Sequence, residues 1–302
     1  MTYDEMKQKM AEGNGFIAAL DQSGGSTPKA LRSYGVKDKE WSGEDEMYAQ
    51  IHKMRCRIIN APSFSDGRVI GAILFEKTME GCSEDGSAIP DLLSRRGVVP
   101  FLKVDKGMHD TENGVQLMKP IPTLNEQCAR AKELGVFGTK MRSVIHEANQ
   151  AGIEAIVAQQ FDFGKQILGA GLMPILEPEV SLESDSRPQA ENLLVAAILD
   201  ELNRLQDGRQ VMLKLTIPSE ANLYKPFADH PKVLRVVALS GGYSREDACR
   251  ELAKNDGMIA SFSRALLEVL QADMSDGEFD AALDRAIEEI SCASTGREMK
   301  TA

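Results

Sequence analysis

The sequence predicts an α/β chain folded as a (β/α)8 TIM barrel. Short, β-rich apolar runs recur along it, and amphipathic helical segments stand between most of them. Buried runs alternating with helices read as parallel βαβ units, and eight such runs favour a closed barrel over an open sheet. The length of 302 residues, with no linker or composition break, suits one barrel over 1–302 with an extra N-terminal helix and a polar C-terminal tail.

The elements follow in order. The charged N-terminal segment MTYDEMKQKMAEG leads into the first β-rich run, 15–21 (GFIAALD). A helix is predicted over 44–60, with Ser42 before GEDE as its cap. The second and third runs are 69–76 (VIGAILFE) and 98–105 (VVPFLKVD). The stretch 106–122 carries Asn-Gly and two prolines, which mark a surface loop. A helix over 123–134 precedes the fourth run, 136–142 (VFGTKMR), and a helix over 146–168 precedes the fifth, 172–180 (LMPILEPEV). After a helix over 187–206 come the sixth run, 211–217 (VMLKLTI), and the seventh, 233–240 (VLRVVALS). Ser244 opens a helix over 244–254, and the eighth run is 257–263 (GMIASFS). The tail after about Cys292 is expected to fray. An open doubly wound sheet is the competing architecture, but no GxGxxG follows the first run and no GxxxxGK[ST] occurs.

Composition narrows the function. Hydrophobic residues make up 42% and charged residues 27%, a soluble globular balance. A net charge of −11 argues against nucleic acid or an anionic membrane as partner. Five scattered cysteines without a CxxC pair read as free thiols, and no apolar run approaches membrane-spanning length, so a cytoplasmic protein is expected. The four histidines form no HxH or HxxxH pair, so no zinc site and no cofactor is expected.

Active sites of such barrels lie at the C-terminal ends of the strands. Polar groups gather at those ends here: Asp21, Glu76, Lys103, Lys140 with Arg142, Glu177 with Glu179, Lys214, Ser240 and Arg264. Alternation puts Gly138, Lys140 and Arg142 on one face, and Met212, Lys214 and Thr216 on another. Any one of these could be a solvated rim residue or half of a salt bridge. Their joint placement at one mouth points to a ligand, because a barrel interior holds ionisable groups only when they pair or serve one. Lys214 is flanked by apolar neighbours on both sides. Desolvation and a neighbouring cation such as Lys140 favour a nucleophilic amine, able to condense with a ketone and make an iminium electron sink. Ser240-Gly241-Gly242 and Arg264 after the last two runs can hold one anion. Across the mouth, Ser23, Gly24, Gly25 and Ser26, together with Lys103, can hold another. Two anion sites flanking one lysine suit a bisphosphorylated sugar.

The segments AALDQSGGS (18–26), LKVDKG (102–107), QCARAKELGVFGTKMR (127–142), MPILEPE (173–179), VMLKL (211–215), LSGGYS (239–244) and SFSRAL (261–266) together resemble the class I, Schiff-base fructose-1,6-bisphosphate aldolases, in that family's order. The resemblance implies reversible cleavage to dihydroxyacetone phosphate and glyceraldehyde 3-phosphate. It implies Lys214 as the imine lysine, Glu177 as proton shuttle, and Asp21 as the carboxylate that orients the lysine and the C3 and C4 hydroxyls. Lys140 and Arg142 match the basic pair, and Glu179 a supporting carboxylate. Ser240, Gly241, Gly242 and Arg264 match the 1-phosphate side, with Ser263 beside them as a further substrate-binding candidate, and Ser23, Ser26 and Lys103 match the 6-phosphate side.

Departures from animal members are Gln22 for Glu, Ala30 for an arginine, Ser263 for Gly, Met141 for Trp and Leu215 for Pro. The last tyrosine is Tyr243, so no C-terminal tyrosine serves enamine protonation. These features and the short chain suggest the bacterial-type branch. Competing readings are a tagatose-bisphosphate or transaldolase-like Schiff-base enzyme, and a silent barrel that binds partners. A homo-oligomer is compatible with the sequence and not readable from it.

Overall fold

The computed structural model describes residues 1–297. Eight parallel strands run in sequential neighbour order: β1 (Phe16–Leu20), β2 (Val69–Leu74), β3 (Val99–Lys103), β4 (Gly138–Ile145), β5 (Met173–Val180), β6 (Val211–Thr216), β7 (Val233–Leu239) and β8 (Met258–Ala260). Ala19 N–H donates to the Phe262 carbonyl at 3.1 Å, which brings the last strand back to the first. The main helices are α1 (Tyr3–Glu12), α2 (Ser26–Ser33), α3 (Gly43–Asn60), α4 (Ile89–Arg95), α5 (Leu124–Glu133), α6 (Gln150–Gly169), α7 (Arg187–Arg204), α8 (Arg245–Leu252) and α9 (Asp276–Thr295).

Strand alternation divides the side chains into two populations. One set, with Ile17, Phe101, Ile175, Met212, Val237 and Ile259, packs inside the barrel; the other joins the helices in a larger outer cluster. Each fully buried side chain of this size contributes about 1.5–3 kcal/mol. Gly138 makes room for the interior layer, because a Cβ there would lie 2.1 Å from the Met173 carbonyl and 2.9 Å from the Phe101 ring.

Helix α1 stops the N-terminal end of the barrel. Thr2 and Glu5 form its capping box, and Met6 and Met10 join the interior cluster. The Tyr3 ring lies 4.9 Å from that of Phe137. At the other end of α1, the Arg235 guanidinium donates to the Ala11 and Gly13 carbonyls at 2.8 and 2.6 Å.

Four local expectations change. The loop 106–122 contains a two-residue strand, Val115–Gln116, antiparallel to the end of β4. That pairing carries β4 on to Ile145, and the following helix waits until Gln150, capped by Asn149. Ser42 does not cap α3 with its side chain; instead its N–H donates to Glu46 at 2.6 Å. Beyond Cys292 the chain stays helical to Thr295, since α9 buries Phe279, Leu283, Ile287 and Ile290 along one face; residues 298–302 of the expected tail lie outside the described residues. No helix among the described residues is long and apolar enough to cross a membrane.

Candidate active site

One layer above the apolar interior, the same inward positions turn ionic. Asp21, Lys140, Glu177 and Lys214 follow Ala19, Gly138, Ile175 and Met212 by one strand repeat, so the alternation that fills the core also aims these groups into it. All four are buried at the foot of a cavity of about 630 Å³ at the C-terminal mouth. Lys140 Nζ lies 2.6 Å from Asp21 Oδ2 and 2.8 Å from Glu177 Oε2, and Lys214 Nζ lies 3.0 Å from Glu177 Oε1. Glu177 Oε2 is buried without an aligned hydrogen bond despite that close ion pair.

Burial opposes every charge in this cluster, and the partners outweigh it. The Asp21 carboxyl, which burial alone would raise, is held well below its ordinary value by the ammoniums of Lys140 and then Lys214. Glu177 is lowered by the same two cations against burial and the repulsion of Asp21. The Lys140 ammonium, which burial alone would depress, is pushed up by Asp21, Glu177 and Asp105. The resting site therefore holds ionised carboxylates around a firmly protonated Lys140.

A second ring surrounds this centre. Arg142 Nε donates to Glu179 Oε2 at 2.5 Å, and Lys103 Nζ pairs with Asp105 Oδ1 at 2.6 Å. At the rim, Ser23 N–H donates to Ser26 Oγ, which itself donates to the Ser23 carbonyl. Across the mouth the chain turns through Gly241 and Gly242, both at positive φ, with Gly242 N–H donating to the Ser240 carbonyl at 2.7 Å. A Cβ on Gly241 would stand 2.9 Å from Leu182. Arg264 lines the cavity with no ion pair to any described residue.

Except for Gly24 and Gly25 of the second anion loop, which lie between the lining residues Ser23 and Ser26, the residues predicted as catalytic or substrate-binding from Asp21 to Arg264 line this one cavity. Glu76, noted among the strand-end charges, does not; it pairs with Lys106 at 3.0 Å on the outer rim. Sequence reasoning passed over Lys29, a lining cation one residue before Ala30; Asp105, one of two carboxylates the sequence offers Lys103 as a partner, also lines the cavity and anchors that lysine. Sequence reasoning also passed over Ser261, buried in the same wall with no hydrogen-bond partner for its hydroxyl among the described residues. Alternation from Ile259 places Ser261 on the inward face, a signal that was present in the sequence.

A family model described as glycolytic, fructose-bisphosphate aldolase class-I, matches residues 3–226. The chain belongs to that family. As an aldolase of this class, the enzyme cleaves fructose 1,6-bisphosphate reversibly to dihydroxyacetone phosphate and glyceraldehyde 3-phosphate through a lysine Schiff base. The fold of this aldolase is also that of the fructose-bisphosphate aldolase from Plasmodium falciparum, solved in a ternary complex with TRAP and a small-molecule inhibitor. The two share 19% identity at a TM-score of 0.77, over 99% of this chain and 96% of that one.

Proposed function

We propose that Lys214 is the lysine that forms the Schiff base and that Glu177 moves the protons. The observation that carries this reading is the unequal company of two neighbouring lysines. Lys140 contacts two carboxylates, Asp21 and Glu177, whereas Lys214 contacts only Glu177. A cation pinned by two buried anions is a poor source of a free amine; one hydrogen-bonded to a single proton acceptor can hand its proton over.

From there the chemistry runs in order. Lys214 Nζ attacks the C2 carbonyl, Glu177 supplies the proton with which the C2 oxygen leaves as water, and an iminium forms. Glu177 then takes the C4 hydroxyl proton; the C3–C4 bond breaks, and its electron pair moves into the iminium to give an enamine. Protonation at C3 and hydrolysis release dihydroxyacetone phosphate. The imine is the electron sink, so the cleavage needs no metal. Asp21 orients the C3 and C4 hydroxyls, and Lys140 holds both carboxylates in place as anions. Arg142 and Glu179 support the sugar. Ser240, Gly241, Gly242 and Arg264, beside Ser263, take the 1-phosphate, and Ser23, Ser26 and Lys103 the 6-phosphate. The cavity size falls in the range usual for small-ligand sites.

Chain-level readings rest on composition. We read 1–302 as one domain working in the cytoplasm, and the charge of −11 supports a partner set without nucleic acid or anionic membrane.

Borohydride reduction in the presence of dihydroxyacetone phosphate tests the central assignment. A stable adduct on Lys214, absent from Lys214→Ala, is the expected result. Peptide mapping that puts the adduct on Lys140 or Lys103 overturns it.

A further inference from the structure

The barrel wall is least continuous where β8 meets β1. In place of a ladder, Ala19 N–H donates to the Phe262 carbonyl there. Just above, Gln22 bridges the junction: its Nε2 donates to Ser263 Oγ at 2.6 Å and to the Ala19 carbonyl at 3.2 Å. Gln22 is itself held from behind by Arg55 of α3, which donates to the Gln22 carbonyl at 2.6 Å, to Gln22 Oε1 at 3.1 Å and to Thr78 Oγ1 at 2.7 Å.

Arg55 is a strange tenant for structural work alone. It is fully buried, and all its hydrogen-bond acceptors are neutral. Burial without a paired anion pushes its guanidinium down to about 10, and the strongest opposing influence is the charge of Asp21. A buried cation of this kind is costly unless its position is used.

The chain positions show the use. Gln22 directly precedes Ser23, and Ser263 directly precedes Arg264, so one amide ties together the two loops that carry the two phosphate sites. The contact needs both side chains as they are: a glutamate carboxylate at 22 would have no hydrogen to donate, and a glycine at 263 would have no hydroxyl to accept one.

We propose that the Arg55–Gln22–Ser263 chain is a spacing device that fixes the separation of the 6- and 1-phosphate sites and so selects for a bisphosphorylated sugar. Arg55 and Gln22 are positioning residues in this account, which rests on the phosphate assignments made above.

Steady-state assays of Gln22→Leu, Ser263→Gly, the double variant and Arg55→Lys, with fructose 1,6-bisphosphate and fructose 1-phosphate, test it. Each single change is expected to lower kcat/KM for the bisphosphate about tenfold, mainly through KM, as for the loss of one hydrogen bond. The double variant should lose no more than either single, because both remove one shared contact. Fructose 1-phosphate, held at one end only, should lose far less in Gln22→Leu and Arg55→Lys. Losses that multiply in the double variant, equal losses on both sugars, or an unchanged Gln22→Leu enzyme overturn the proposal. Borohydride trapping on the same proteins keeps the two claims apart. An adduct on Lys214 with no sugar selectivity sinks the spacing device alone, whereas no Lys214 adduct in the wild type sinks the catalytic reading beneath it. Should Arg55→Lys fail to fold, the Gln22 and Ser263 variants carry the test.

Discussion

Glu177 stands between two ammonium groups, with one oxygen toward each. That arrangement keeps its carboxyl ionised at rest, the state in which the proposed reaction has it accept a proton from Lys214 or the C4 hydroxyl. Glu177→Gln keeps the shape and removes the proton exchange. It should lower kcat by about 10²–10⁴-fold, the usual worth of a general acid–base group, while an imine still forms slowly enough to trap. A near-normal kcat would move the shuttle to another residue. Such a residue-by-residue reading was largely open to the sequence, because strand alternation fixes direction: Lys140 must point where Gly138 points, and Lys214 where Met212 points. The partners were less open. Lys103 and Asp105 are two residues apart, so their pairing follows from the same rule. Gln22 and Ser263 are 241 residues apart, and no local pattern announces that contact.

At the scale of elements, the loop after β7, the proposed 1-phosphate side, depends on left-handed backbone that favours glycine. Gly241 sits at φ +62°, and a Cβ there would meet Leu182 at 2.9 Å. The loop is also tied from below, since the Arg187 guanidinium of α7 reaches Tyr243 Oη at 3.1 Å and the Ile217 carbonyl at 2.5 Å. Gly241→Ala therefore strains the loop without touching Lys214. Bisphosphate KM should rise by roughly tenfold, on the estimate that a left-handed residue costs about 1–3 kcal/mol. Trapping of the imine at saturating ketose should remain; a variant with unchanged KM would show that the loop does not grip the phosphate. The eight strands were legible because each is a short β-rich run set off by its neighbours. The Val115–Gln116 arm was not, because two residues are too few to carry a period, and with it went the true end of β4.

For the molecule as a whole, the buried quartet couples activity to stability. Asp21 and Glu177 have folded-state values below their ordinary 3.8 and 4.5, so they contribute stability that is complete above those values and lost as pH falls through the lower, folded ones. Lys140 does the reverse: its contribution is complete below 10.5 and fades as pH rises through the raised value. The difference in thermal midpoint between wild type and Asp21→Asn should thus be largest near neutrality and shrink below pH 3.8. A gap that stays constant into acid would mean that Asp21 keeps its proton affinity on folding. The surface carboxylates behind the net charge of −11 titrate alike in both proteins and cancel in the comparison.

Helix α1, with Met6, Met10 and the Tyr3–Phe137 ring pair, leaves the barrel with a stopper at one end. Traffic through the mouth is consequently two-way on a single lane. The aldehyde half, never bonded to the protein, departs first, and the ketose half stays tethered until water follows it in. A fresh aldehyde arriving during that interval meets a loaded enamine and reverses the reaction. Exchange of labelled glyceraldehyde 3-phosphate into the intact sugar should accordingly outpace net turnover; the stopper leaves both halves a single way out, and the tether sets which takes it first.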